Sequence, residues 1–238
     1  MSPPDRWSSQ DKRIWELIRE PDGGEGRIVG QVIVCSKERG LMKATCCFAL
    51  VGLALAAAVV PAAGQARIPP RSAERAFQAG GHVWLDLSAA TYRIKPGRDD
   101  RVWVEWSTDD PDDIGGYKVA FQAKGRDLVV VTKGPKGSMS VVIEVPARSD
   151  LTVDLGAGDL FIGGIKGNKD IGSWAGNVNI EVGDTADYKL VDARVTAGDL
   201  TARPFNVQKG GLFRSFTWEG KGPYTMKVRL TAGDLNLR

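Results

Sequence analysis

Side chains able to do chemistry are few in this sequence, and their placement limits what they could do. His82 is the single histidine of the 238 residues. Any Ser-His-Asp relay would have to be built on it, and a multi-histidine metal centre is ruled out. It lies in an alternating stretch with Trp84 and Asp86, where a structural or surface histidine is expected. The cysteines, Cys35, Cys46 and Cys47, all precede residue 67. From Arg67 onward there is no disulfide, thiolate metal site or cysteine nucleophile. Carboxylates are the remaining candidates. Asp109-Asp110-Pro111-Asp112-Asp113 offers oxygens of the kind calcium takes, but lacks the order and closing glutamate of an EF-hand, so a solvated loop is predicted. Asp154, Glu181 and Asp192 lie on or near predicted strands. Paired carboxylates on a β-helix can cleave polysaccharides, yet nothing in this spacing forces the three together. Trp84 and Trp103 occupy the strand faces opposite Val83 and Val102. On an open face such indoles stack on sugars or pack against a partner; under a second sheet they are core, the favoured reading.

The elements that must position these residues begin with an export signal. Lys43 precedes an uncharged apolar run from Cys46 to Val60, Pro61 breaks it, and small residues continue to Ala66. This is the tripartite pattern of a secretory signal peptide over 42–66, shorter than a membrane span requires. Met42 is then the expected start, with 1–41 an upstream extension that should not be forced into a fold. No stable membrane span is expected after cleavage. From Arg67 onward 24 Lys and Arg face 22 Asp and Glu, a net charge of +2. That balance argues against a general nucleic-acid binder. Residues 203–238 hold seven basic and two acidic residues. They could face an anionic envelope polymer, although a solvated face is the simpler expectation.

Residues 67–80 are polar and proline-containing and read as a flexible lead-in. Beyond them period-two alternation dominates, as in Val83-Leu85-Leu87, Val102-Val104-Trp106 and Tyr117-Val119-Phe121. Leu128 to Val131 is continuously apolar, the mark of a strand buried on both sides. The second half repeats itself. Gly156-Ala157-Gly158-Asp159-Leu160 is echoed by Thr196-Ala197-Gly198-Asp199-Leu200 and Thr231-Ala232-Gly233-Asp234-Leu235, with Trp174-Ala175-Gly176-Asn177-Val178 as a degenerate copy. Each copy adjoins a short alternating strand. The unit is strand, Gly-Asp turn, strand: glycine supplies positive φ, and Asp or Asn bonds the backbone two residues on. Calcium-binding β-rolls also repeat Asp and Gly, but with a nine-residue period, so these aspartates are assigned to turn geometry. One such unit cannot bury its own apolar face, whereas stacked units share one. The long final step suggests a further coil near Lys209-Gly210-Gly211-Leu212 or an inserted hairpin.

The Val145-Pro146-Ala147 block, the Leu151 to Leu160 segment and the Thr-Ala-Gly-Asp-Leu copies resemble the bacterial putative-adhesin family of domains of unknown function. The resemblance spans 81–238. It implies a β-helix-like or β-prism fold with no catalytic residues to carry over. Family members usually have Ser or Thr before the Gly-Asp, where this chain has Ala157, Ala197 and Ala232. The expectation is therefore an all-β domain over 81–238, a β-solenoid preceded by irregular antiparallel strands. The structural turns are Gly158-Asp159, Gly176-Asn177, Gly198-Asp199 and Gly233-Asp234. Trp84 and Trp103 are the aromatics that could face a ligand. No cofactor is called for, and the expected partner is an envelope protein or polysaccharide. Carbohydrate hydrolysis or elimination is the alternative. N-terminal sequencing of the exported protein should give Arg67, or Gln65 if cleavage follows Gly64. An exported form still carrying residues 1–41 would overturn the export reading.

Overall fold

A computed structural model describes residues 70–134 and 139–238. The export segment at 42–66 and the stretch 1–41 lie outside the described residues. Within them the chain is all-β, apart from one short helix, α1 (Pro111–Gly116), and two single-turn 3-10 helices. The Asp109 to Gly116 stretch, expected as a loop, thus holds α1. Asp110 N–H donates to Thr108 Oγ1 at 3.1 Å just before it, and Ile114 anchors it in the core.

Two open sheets lie face to face. The eight-stranded sheet contains β2 (His82–Leu87), β5 (Lys118–Lys124), β6 (Asp127–Lys133), β8 (Asp150–Ala157), β10 (Lys169–Ala175), β12 (Tyr188–Ala197), β15 (Leu212–Glu219) and β16 (Tyr224–Ala232). The nine-stranded sheet contains β1 (Arg71–Ala76), β3 (Thr91–Pro96), β4 (Arg101–Ser107), β7 (Ser140–Val145), β9 (Leu160–Ile162), β11 (Val178–Ile180), β13 (Leu200–Ala202), β14 (Val207–Lys209) and β17 (Leu235–Leu237). The apolar residues of each alternating strand meet between the sheets. Leu151, Val153 and Leu155 of β8 and Ile171 of β10 face this core on one side; Leu160, Ile162, Val178 and Ile180 face it on the other. Each such aliphatic side chain contributes about 1.5–3 kcal/mol on burial.

The turns at Gly158-Asp159, Gly176-Asn177, Gly198-Asp199 and Gly233-Asp234 each carry the chain from the eight-stranded to the nine-stranded sheet, so β8–β9, β10–β11, β12–β13 and β16–β17 are equivalent layers. β2–β3 and β6–β7 are layers of the same kind. β2 and β3 pair in parallel with the repeat strands β8 and β9, and β6 and β7 pair in parallel with β2 and β3. The first half is thus part of the stack, and only β1, β4 and β5 there pair antiparallel. The order of layers in space is β6–β7, β2–β3, β8–β9, β10–β11, β16–β17, β12–β13. A solenoid winds its layers in chain order; here two layers are out of sequence. The 35-residue step between Gly198 and Gly233 explains one of them. After β13 the chain doubles back antiparallel through β14 and β15, which cover the outer side of β12–β13, and β16–β17 must then insert inside. The sequence around Lys209 to Leu212 is that antiparallel excursion and not another coil. The lead-in also needs correction. Residues 71–76 form β1, in register with β4 from Arg71–Trp106 to Ala76–Arg101, and Glu74 and Arg101 form an ion pair there. Its charged residues are typical of a guarded sheet edge.

The turns form a column. Gly158, Gly176, Gly233 and Gly198 have φ of 112°, 113°, 125° and 132°. A Cβ added to Gly176 would stand 2.0 Å from the Gly158 carbonyl oxygen; Gly233 stands in the same relation to Gly176 at 2.1 Å, and Gly198 to Gly233 at 2.0 Å. Gly158 meets the Ala90 carbonyl of the β2–β3 layer at 2.0 Å. Gly183 also has a positive φ, 73°, but a Cβ there meets nothing within 4 Å. The two sites separate backbone strain from layer contact. Gly183→Ala should cost about 1–2 kcal/mol from φ alone. Gly176→Ala should cost at least about 2 kcal/mol more in urea unfolding, because two layers must part. Equal costs would mean that the column does not set the layer spacing.

Candidate ligand-binding face

Three of the four turn Asx side chains, Asp159, Asn177 and Asp234, accept a backbone N–H from the next layer of the column. Asp159 Oδ1 accepts from Asn177 N at 3.2 Å and from Asn177 Nδ2 at 3.0 Å. Asn177 Oδ1 accepts from Asp234 N at 3.3 Å, and Asp234 Oδ1 from Asp199 N at 3.0 Å. The bonds run between layers and not to the residue two further on, as a local turn would have it. At the interstrand spacing of about 4.8 Å, a side-chain oxygen reaches the equivalent N–H of the next strand. The degenerate copy has a function in this file. Asn177 places a neutral amide, with donors of its own, between the carboxylates of Asp159 and Asp234. A second file, missed in the sequence, closes the other end of the layers. Asp150 accepts from Asn168 N at 2.7 Å, and Asn168 Oδ1 accepts from Thr225 N at 2.9 Å. The side chains of Asp159, Asn177, Asp234, Asp150 and Asn168 thus tie adjacent layers together.

The residues singled out for chemistry scatter. Asp154 and Asp192 lie on the outer face of the eight-stranded sheet, on β8 and β12, with β10 and β16 between them. Three strand spacings and an offset of two residues along the strands put them roughly 16 Å apart. Asp192 is held by Arg194 at 3.0 Å. Glu181 follows β11 on the other sheet. The three are not brought together. The carboxylates that do adjoin are Asp86 and Asp154, partners in register on β2 and β8. Burial raises the Asp86 carboxyl above its ordinary range, with Lys133 pulling the other way. Trp84 and Trp103 are not core. Both are half-buried on outer faces, Trp84 on the eight-stranded sheet and Trp103 on the nine-stranded sheet, so they share no surface. Trp84 stacks on His82 at 4.5 Å, and His82 Nε2 lies 2.9 Å from Thr152 Oγ1. The sole histidine is thus tied into the strand surface.

The outer face of the nine-stranded sheet is organised differently. β9, β11, β17 and β13 are three residues long, with the first and third side chains in the core. Each strand therefore presents one residue outward: Phe161, Asn179, Asn236 and Thr201. In-register pairing sets them in a single file, Phe161–Asn179–Asn236–Thr201. β3 extends the file to Arg93 at one end, and β14 extends it to Gln208 at the other. The positional signal was present in the sequence. In every copy the outward residue is the one after Gly-Asx-Leu/Val. What hid it is its variability, since only asparagine, at Asn179 and Asn236, occurs twice along the file.

At the Arg93 end the file opens into a cavity of about 270 Å³, lined among others by Arg93, Lys95, Phe161, Asn179, Glu181 and Arg238. The Arg93 guanidinium carbon lies 5.1 Å from the centroid of the Phe161 ring. Lys95 pairs with Glu144 at 3.1 Å, and Arg238 with Glu181 at 3.7 Å. A Cβ on Gly163 would stand 2.5 Å from Glu181 Oε2, so glycine there leaves room for that carboxylate.

No family model matches the chain, and no curated protein matches it. Solved structures do. A putative cell adhesion protein from Clostridium sporogenes is similar at 14% identity and a TM-score of 0.47, over 71% of this chain and 99% of that one. A putative adhesin from Bacteroides fragilis is similar at 11% identity and a TM-score of 0.26, over 71% and 97%. One from Parabacteroides distasonis is similar at 12% identity and a TM-score of 0.24, over 71% and 70%.

One buried cation bears on stability. Lys169 points into the core from the start of β10 and is 2% exposed. Its Nζ donates to Tyr188 Oη at 3.0 Å and Gly167 O at 3.3 Å, and Tyr188 Oη donates to Val182 O at 3.3 Å. Burial lowers the Lys169 pKa to about 8, against the pull of Asp150 and Asp187. Burial likewise pushes Tyr188 up to about 12. Between about pH 8 and the ordinary lysine value, the folded chain holds fewer protons than the unfolded one, so stability rises with pH. Above about pH 10 the unfolded tyrosine ionises first and stability falls. Urea unfolding should show a rise on the order of 2 kcal/mol from pH 7 to pH 10, then a decline. Lys169→Met should remove the rise; a rise that persists in this variant would place its origin elsewhere.

Proposed function

We propose that the chain is an exported, non-catalytic binding protein of the cell envelope that holds an extended partner along the outer face of its nine-stranded sheet. The observation that carries this is the single file from Arg93 to Gln208. Asn179, Asn236, Thr201 and Gln208 present donors and acceptors at one-strand intervals on a rigid sheet, and the file ends in a cavity. A surface ruled at about 4.8 Å, on strands β3, β9, β11, β17 and β13 that are each paired on both sides, suits a linear polymer whose groups recur along its length. Export is the reading of residues 42–66. Among the described residues no helix is long and apolar enough to cross a membrane.

A second reading rests on the Asp86–Asp154 pair. Two adjacent carboxylates, one raised by burial, are the elements of an acid and nucleophile for glycoside cleavage. Release of reducing ends from envelope polysaccharide, lost in Asp154→Asn, would support it.

The binding reading is tested with the purified domain and isolated envelope polysaccharide. The double variant Asn179→Leu, Asn236→Leu should lose at least tenfold in affinity while its unfolding midpoint stays within a few degrees. Both side chains are only half-buried, so folding does not depend on them. Unchanged affinity would overturn this face as the binding surface.

A further inference from the structure

We propose that the partner on this face is an acidic polysaccharide in which carboxylate-bearing sugars are interspersed with neutral ones, and that one such carboxylate seats at Arg93 in the cavity. The inference rests on the binding reading above and names what is bound. Charge at the cavity is the first argument. Its lining holds three cations, Arg93, Lys95 and Arg238, against one carboxylate, Glu181. Lys95 and Arg238 have acidic partners, whereas Arg93 makes no ion pair among the described residues. The uncommitted charge is therefore a guanidinium. Supported on the Phe161 ring, it keeps the N–H groups at its rim for a planar two-oxygen acceptor, which a carboxylate is.

The second argument is the lack of charge beyond Arg93. Phe161, Asn179, Asn236, Thr201 and Gln208 bear none. A polymer charged at every unit, such as a nucleic acid or polyphosphate, would meet one cation and then five neutral positions. A glycan with spaced acidic units meets complementary groups throughout: hydroxyls against amides and the Thr201 hydroxyl, and a carboxylate against Arg93. Size agrees. At about 270 Å³ the cavity lies just below the range for drug-sized ligands and holds one sugar unit rather than several. Glu181 lies beside the seat and repels an incoming carboxylate, and its pairing with Arg238 offsets part of that repulsion.

Affinity for hyaluronan, polygalacturonate and alginate, each against its carboxyl-reduced form, tests the proposal, with poly-glutamate as a carboxylate polymer lacking sugars. At least one acidic glycan should bind tenfold or more tighter than its reduced form and than poly-glutamate. Arg93→Gln should abolish that difference by weakening the acidic form at least tenfold more than the reduced form. Glu181→Gln should strengthen binding to the acidic form alone. Arg93 is exposed, so its replacement leaves the fold intact, which thermal unfolding checks. Equal binding of acidic and reduced forms overturns the carboxylate seat while leaving the binding face in place. Poly-glutamate binding as tightly as the glycans overturns the sugar assignment. Binding to none of these polymers overturns the proposal; the binding face itself then stands or falls on the double variant above.

Discussion

The layer spacing is enforced where glycine backbone meets carbonyl oxygen. At Gly158, Gly176, Gly233 and Gly198 the turn of one layer lies so close to the turn of the next that no side chain fits between them. Strand hydrogen bonds alone would tolerate local bulges and slips. A column of contacts that excludes even a methyl group pins the four Gly-Asx layers at the same corner and seats them on Ala90 of the β2–β3 layer. From that corner both strands of a layer run out in fixed register. The parallel pairings of β8, β10, β16 and β12 match residue for residue through the core, as do those of β9, β11, β17 and β13.

The outward file inherits its order from this corner. A residue three positions beyond the column glycine has nowhere to go but the outer face, because its neighbours on either side are held in the core. The Asx bonds reinforce the arrangement from the other side of the turn. Phe161, Asn179, Asn236 and Thr201 occupy the outward position in the same register, so binding chemistry and folding are carried by different positions of one short unit. This separation explains why the Gly-Asx residues are uniform and the outward residues are not.

The all-β character and the positive φ of Gly158, Gly176, Gly198 and Gly233 were legible because they depend on local rules: period-two alternation, and the need for glycine at positive φ. Three features were not. Alternation alone does not distinguish parallel from antiparallel pairing, so β2–β3 and β6–β7 read as a separate, irregular half. Layer order depends on where β16–β17 inserts, a tertiary choice that leaves no mark in either strand. Trp84 and Trp103 look like core by residue type, yet they face outward because Val83 and Val102 take the inward positions. The candidate face was partly legible. Its positions follow directly from the repeat, but its composition carries no motif, and Arg93 joins it from a layer that lacks the Gly-Asx turn.

The insertion of β16–β17 between two other layers has a consequence for how the molecule comes apart. In a stack wound in chain order, an end layer peels away after breaking one interface. Here β16 is flanked by β10 and β12, and β17 by β11 and β13, so freeing this segment breaks two interfaces in each sheet at once. Local fraying from that side is thereby coupled to disruption of the core, which moves the segment toward the high-stability end of the opening spectrum. The strand-order exchange acts as a latch: a protease or a mechanical pull that acts there meets most of the resistance of the whole domain instead of that of one layer.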